Sequence, residues 1–220
     1  MKYRVHKLAQ PMKLDGDWEK AAWKNCPTLE LKNFMGTKPA HQPRTQAKAL
    51  YDDRNIYVTF RVEDRYVRAV AQKHQDSVCR DSCVEFFFTP GDDISVGYFN
   101  LEMNCGGTML LYYIKKPLNE DPKGFVQVDC EPIEVFHSLP KIVEPEIVEP
   151  TTWVVEYRIP LDLLEKHCPV VKPRSGVLWR GNFYKCADST SHPHWLTWSV
   201  VDNPKPSFHL PKFFGELEFV

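Results

Sequence analysis

The chain has 220 residues, 43% of them hydrophobic, enough for one domain with a sizeable core. Twenty-eight basic residues against twenty-nine acidic ones leave a formal charge of -1, so no global field draws it to nucleic acid or to an anionic membrane. No apolar run approaches a membrane span, and Met1 to His6 lacks the apolar core of a signal peptide; the expectation is a single soluble domain over residues 1–220.

The seven cysteines are an odd number, so at least one is free or pairs outside the chain. No CxxC pair occurs. Cys79 and Cys83 stand four apart with His74 nearby, but without a second ligand pair they read as packed, reduced cysteines rather than a zinc site.

In chain order, Asp15-Gly16-Asp17 is a turn signal, and Trp18 to Trp23 a short helical segment with Asp17 as its N-cap. Trp18, Ala22 and Trp23 share one side of it and are expected to plug the end of a sheet. Pro27, Gly36, Pro39 and Pro43 break residues 24 to 46 into a connecting loop with one short strand near Leu29 to Leu31. Ala47, Ala49 and Tyr51, the turn Asp52 to Asn55, and Ile56, Val58, Phe60 and Val62 then form the clearest β-hairpin. Residues 65 to 80 read as a polar connection.

Cys83 to Thr89 is an apolar, aromatic strand closed by Pro90-Gly91. Alternation puts Val84, Phe86 and Phe88 on one face and Cys83, Glu85 and Phe87 on the other. A carboxylate held mid-strand needs a partner, a metal or a ligand; a salt-bridged structural glutamate satisfies the pattern equally. The return strand, Val96 to Asn104, sets Phe99, Leu101 and Met103 against Tyr98, Asn100, Glu102 and Asn104. Further strands are expected at Met109 to Ile114 and Val126 to Val135. The twice-written Ile-Val-Glu-Pro between residues 141 and 150 reads as an extended loop or edge.

Thr152 to Ile159 is a strand stopped by Pro160, and Leu161 to His167 is a helical turn or two. Gly176 to Lys185 opposes Trp179, Gly181 and Phe183 to Arg180, Asn182 and Tyr184. After Trp195 to Ser199 comes a proline-bounded loop, Pro204 to Pro211, and a last strand, Phe214 to Val220. The sum is an all-β chain, an antiparallel β-sandwich of about eight to ten strands with one or two short helical segments.

Three strands thus carry a polar face: Glu85; Asn100, Glu102 and Asn104; Arg180, Asn182 and Tyr184. On one sheet surface they form a trough of amides, carboxylates and a guanidinium. Such groups hydrogen-bond vicinal sugar hydroxyls while an aromatic ring covers the C–H face of a pyranose. Ordinary solvated positions of an antiparallel sheet have the same alternation.

Six motifs, in order and nearly end to end, carry a resemblance: Leu-Asp-Gly-x-Trp-x-x-Ala-Ala-Trp (Leu14 to Trp23), Ala-Leu-Tyr-Asp-Asp-x-Asn-Ile-Tyr-Val (Ala49 to Val58), Asp-Ser-x-Val-Glu-Phe-Phe (Asp81 to Phe87), Trp-x-Val-Glu-x-x-Ile-Pro (Trp153 to Pro160), Trp-Arg-x-Asn-Phe (Trp179 to Phe183) and Phe-His-x-Pro-x-x-Phe-Gly-x-Leu (Phe208 to Leu217). The chain resembles the family 9-like carbohydrate-binding modules of the DOMON superfamily. The resemblance implies a non-catalytic β-sandwich that binds a saccharide, operates alongside glycoside hydrolases in polysaccharide breakdown, is secreted or periplasmic, and carries structural calcium. It favours Glu85, Asn100 and Asn182 as polar contacts, followed by Arg180 and Glu102. It also implies two clamping tryptophans, whose places here hold Cys79 or Arg80 and Lys185 or Cys186; Tyr184, Trp195 and Trp198 are the rings available instead. Calcium candidates are the turn residues Asp52, Asp53, Asp64, Asp92 and Asp93. Two alternatives stand beside sugar binding: a glycosidase using Glu85 and Glu102 as acid and base, and a haem domain with Met103 and His209 as axial ligands.

Overall fold

The structure is a computed structural model and describes residues 1–116, 121 and 124–220. Its strands, in chain order, are β1 (Lys2–Lys7), β2 (Leu29–Glu30), β3 (Asn33–Phe34), β4 (Arg44–Tyr51), β5 (Asn55–Asp64), β6 (Val67–Ala69), β7 (Cys83–Thr89), β8 (Tyr98–Asn104), β9 (Met109–Ile114), β10 (Phe125–Gln127), β11 (Glu134–His137), β12 (Val143–Ile147), β13 (Thr151–Pro160), β14 (Leu178–Cys186), β15 (Trp195–Thr197) and β16 (Gly215–Phe219). Two short helices, α1 (Ala21–Lys24) and α2 (Leu161–Glu165), complete the set.

The strands form two layers. One sheet runs β10-β9-β8-β7-β14-β16-β1, with β15 on the free half of β14 and β3 on β15. The other runs β1-β4-β5-β13-β11, with β2 on β4. The layers share β1: Lys2 to Val5 pair in parallel with Glu216 to Phe219, and His6 and Lys7 then pair in parallel with Leu50 and Tyr51. The antiparallel sandwich therefore has one parallel seam on each sheet, made by the same strand.

Alternation built the core as expected. Val84, Phe86, Phe88, Phe99, Leu101 and Met103 face inward from the first sheet, and Val58, Phe60, Val62, Trp153, Val155 and Tyr157 meet them from the second. Phe86 stacks between Phe88 and Phe183, with ring centroids 4.6 Å away on each side. Gly215 admits the final strand at close range, since a Cβ there would come within 2.6 Å of the Trp198 ring.

Several expectations change. Sixteen strands are present among the described residues rather than eight to ten; the excess is two- to five-residue pieces, some flanking longer strands and some pairing with one another. Residues 65 to 80 contain β6, paired with β12 in a separate two-stranded ribbon. Val126 to Val135 is two strands on different sheets, β10 and β11, because the turn after Cys130 reverses the chain before Ile133. The first helix begins at Ala21. Asp17 does not cap it, its carboxylate accepting instead from Glu19 N at 2.9 Å. Trp23 packs on the outer surface of the second sheet, with Leu14, Leu50 and Tyr57, rather than at a sheet end. Its indole N–H donates to Glu156 at 2.7 Å, and that buried carboxylate is paired with Lys20 at 2.6 Å. All seven cysteines are free. No helix among the described residues is long and apolar enough to cross a membrane.

Candidate functional site

The outer face of the first sheet is where the polar alternation of β7, β8 and β14 comes together. The register places Tyr184, Glu85 and Glu102 in one row across β14, β7 and β8, Asn182, Phe87 and Asn100 in the next, and Cys186, Cys83 and Asn104 on the other side. This face is not open water. The segment from Val201 to Phe214 lies over it, and Phe208, Phe214 and Val201 join Phe87, Tyr98 and Tyr184 in a second apolar cluster.

Between the sheet and that covering segment a cleft of about 160 Å³ remains. Glu85, Phe87, Glu102 and Cys186 form its floor, Trp195 and Phe208 stand at its sides, and Cys79, Asp188, His209, Pro206 and Ser207 complete its lining. Trp195 arrives through the antiparallel pairing of β15 with β14, which sets it opposite Cys186. Its indole N–H is fixed by Asp188 at 2.8 Å. Phe208 stacks on Tyr184 with centroids 4.2 Å apart, and the Tyr184 hydroxyl donates to the Phe208 carbonyl at 3.3 Å.

Electrostatics make the floor unusual. Glu85 is 2% exposed and Glu102 6%, and neither has a basic partner among the described residues. Ser82 and Cys105 form a hydrogen-bonded pair of the β7–β8 ladder, so by alternation Glu85 and Glu102 form a non-hydrogen-bonded pair, the kind that brings side chains closest. Glu85 accepts one hydrogen bond, from the Cys186 thiol at 3.0 Å; Glu102 accepts one from the Asn100 amide at 2.9 Å. Burial first, and then the neighbouring Glu102, push the Glu85 carboxyl well above the usual range. Burial lifts Glu102 to about 7 against the pull of Asn100. Burial lowers His209 to about 4, so its ring, held by the Tyr98 hydroxyl at 3.0 Å, is neutral near pH 7.

The six residues singled out from the sequence take different positions. Glu85 and Glu102 line the cleft. Asn100 lies beneath it: its amide N–H₂ holds Glu102 and its oxygen accepts from Tyr112 N at 3.1 Å. Tyr184 supports the aromatic wall from below. Asn182 does not reach the cleft, because its amide is spent on both backbone groups of Ser199, at 2.8 and 3.0 Å, and on Phe183 N at 2.9 Å. Arg180 lies two residues further along β14 and is held by Asp92 at 2.6 Å and Glu216 at 3.5 Å.

Of the three rings offered as substitutes for a tryptophan clamp, Trp195 alone lines the cleft; Trp198 is in the core against Tyr3 and Phe183. Lys185 points inward to Asp64 at 3.5 Å and His194 at 2.8 Å. Sequence reasoning missed Phe208, Asp188 and His209 as cleft residues, while Cys79 and Cys186, two of the places implied for the clamping tryptophans, both line it. Phe208 and His209 belong to an irregular covering segment, for which no periodicity exists to read.

Met103 is buried in the core while His209 lies over the opposite face of the same sheet, so the pair cannot ligate one haem. The aspartates proposed for calcium do not converge. Asp52 caps its own turn and accepts from Tyr57, Asp53 pairs with Lys7, Asp64 with His41, Asp92 with Arg180, and Asp93 accepts from Ser95 N. A hard cation needs six to eight oxygens, and these donors already occupy the carboxylates, so the set does not fit calcium. A larger hollow, about 530 Å³, lies between residues 6–12 and α1. Its two lysines, Lys7 and Lys20, are already paired with Asp53 and with Asp15 and Glu156, leaving no comparable set of convergent free groups.

The family model described as carbohydrate-binding family 9 matches residues 11–219. No curated protein matches the sequence. Among solved structures, a candidate carbohydrate-binding protein from Bacteroides uniformis ATCC 8492 is similar at a TM-score of 0.86 and 27% identity, covering 100% of this chain and 99% of that one. A family 9 module from Caldicellulosiruptor kristjanssonii in complex with cellotriose is similar at 0.68 and 15% identity, covering 100% and 93%. The glucose complex of a family 9 module from the same organism gives 0.66 and 15%, covering 99% and 95%. At 15% identity these last two speak to the fold, and the fold is the one described above. The family model spans nearly the whole described sandwich, and the chain belongs to carbohydrate-binding family 9.

Proposed function

We propose that the chain is a non-catalytic binding module that holds one saccharide residue in the cleft between Glu85, Glu102 and Asp188 and the rings of Trp195 and Phe208. The observation that carries this reading is the cleft itself: acceptor-rich carboxylates on the floor and an indole on the wall, the two kinds of surface a pyranose presents hydroxyls and C–H bonds to. Its volume is below the roughly 300 Å³ at which pockets for drug-sized ligands begin, which favours a single sugar residue over an extended chain. Modules of the same family and fold are known in complex with cellotriose and with glucose, which makes β-glucans and their monosaccharide the first ligands to examine. In this reading a glycoside hydrolase, in the same polypeptide or separate from it, supplies the cleavage.

Catalysis by the domain itself is disfavoured by the direction of its carboxylates. Glu85 and Glu102 project from one wall as direct cross-strand neighbours, whereas glycoside hydrolysis places its two carboxyl groups on either side of the scissile bond. Isothermal titration with glucose, cello-oligosaccharides and a panel of other mono- and oligosaccharides tests the proposal, with reducing-sugar release assayed in parallel. The expected result is saturable binding of at least one sugar without turnover. Hydrolysis abolished by Glu85→Gln would make the domain an enzyme, and no binding across the panel would remove the sugar reading.

A further inference from the structure

We infer that Cys83, Cys186 and Glu85 form a site for a thiophilic divalent cation, zinc by coordination preference, at the base of the cleft. The two thiol sulfurs and a Glu85 carboxylate oxygen all lie within 4.8 Å of one another, and all three side chains are buried. The strands impose this grouping. Cys83 and Cys186 are directly opposite on β7 and β14, and Glu85 is two residues from Cys83 on the same face.

The distances suit tetrahedral coordination. Zinc–sulfur bonds of about 2.3 Å and zinc–oxygen bonds of about 2.0–2.2 Å put ligand atoms roughly 3.5–4 Å apart, so the present separations need to close by no more than about 1.3 Å. Cys186 Sγ and Glu85 Oε1 are already 3.0 Å apart. Two thiolates with one carboxylate select zinc or another soft ion over calcium and magnesium, which take oxygen ligands. Glu85 and Cys186 line the cleft while Cys83 lies behind them, so a fourth position faces the cleft, with the Cys79 thiol on its rim.

The charge pattern points the same way. Glu85, Glu102 and Asp188 surround the cleft, yet among the described residues no Lys, Arg or His pairs with any of them. A buried carboxylate whose one hydrogen bond comes from a thiol is poorly compensated, and a divalent cation supplies the missing charge. In the metal-free chain burial raises the Cys83 thiol to about 12 and pushes the Cys186 thiol and the Glu85 carboxyl above their usual ranges, so protons compete with the cation for these ligands. Binding then releases protons from these ligands, with no redox step, and is stronger at higher pH.

Cobalt serves as the spectroscopic probe. Full-length protein, reduced and freed of metal by chelation, is titrated with Co²⁺ alone under argon. The expected result is a thiolate-to-cobalt charge-transfer band with tetrahedral d–d bands, saturating at one equivalent and bleached by Zn²⁺. Cys83→Ser and Cys186→Ser each weaken apparent affinity at least tenfold, Glu85→Gln weakens it while keeping the charge-transfer band, and Cys168→Ser leaves it unchanged. Zinc also raises the melting temperature of the unaltered protein but not of Cys186→Ser. Folded, reduced protein without the band overturns the inference, as does a band that survives Cys83→Ser/Cys186→Ser. Isolation of a Cys83–Cys186 disulfide that chelation and mild reduction do not open overturns it as well. Because no sugar is present, the outcome is independent of the saccharide reading.

Discussion

Glu85 was legible as an anomaly in the sequence, a carboxylate at an alternating position of an aromatic strand, and Glu102 was legible as part of a polar face. Their adjacency was not, since it depends on the β7–β8 register. That adjacency and burial set a pH dependence. Below about pH 4.5 the Glu102 carboxyl is protonated whether the chain is folded or unfolded. Between that value and about 7 the unfolded chain ionises while the folded one does not, so stability falls as pH rises. Above that window the loss is complete. Glu102→Gln, neutral throughout, should therefore melt progressively higher than the unaltered metal-free protein between pH 4.5 and 8. Equal melting differences at both ends of that range would show that Glu102 is not held protonated by the fold.

At the scale of elements, the long strands β4, β5, β7, β8, β9, β13 and β14 were readable because each turns a run of apolar side chains to the core. The pieces β3, β6 and β15 were not, since two or three residues carry too little pattern and their state is decided by their partners. The same limit hid the cleft's aromatic wall. Trp195 sits on three-residue β15, which is placed by pairing with β14 and by Asn182, whose amide holds Ser199 just beyond it. A residue that looked like a sugar contact thus acts as a clasp. Asn182→Ala leaves the Ser199 N–H and C=O without their partner and should cost roughly 2–3 kcal/mol in chemical denaturation, at about 1–3 kcal/mol for a buried group left unsatisfied. A change below about 0.5 kcal/mol, within the range of ordinary surface substitutions, would assign that segment's placement to packing alone.

For the whole molecule, the sequence indicated two packed antiparallel layers but not how they are joined. The joint is β1, whose residues Lys2 to Lys7 have no hairpin partner in sequence and pair in parallel with strands about 45 and 210 positions away by the register described. Tyr3 concentrates this role. Its ring meets Phe183 and Trp198 edge-on, its hydroxyl donates to the Pro27 carbonyl at 2.7 Å, and it accepts from Ala49 N in the other sheet at 3.0 Å. Tyr3→Ala should destabilise by about 3–5 kcal/mol, as for other buried aromatic truncations. A loss under about 1 kcal/mol would mean that the layers are held together without their shared strand.

The joined layers present one face with a cleft, and the central claim is that this cleft holds a sugar against Trp195. The direct measurement is calorimetric titration of the unaltered chain and of Trp195→Ala with the best ligand from the sugar panel, alongside melting curves for both. The account predicts saturable binding at one site per chain, lost in Trp195→Ala while the variant still melts cooperatively. Undiminished binding by a folded Trp195→Ala would place the sugar elsewhere on the molecule and contradict it.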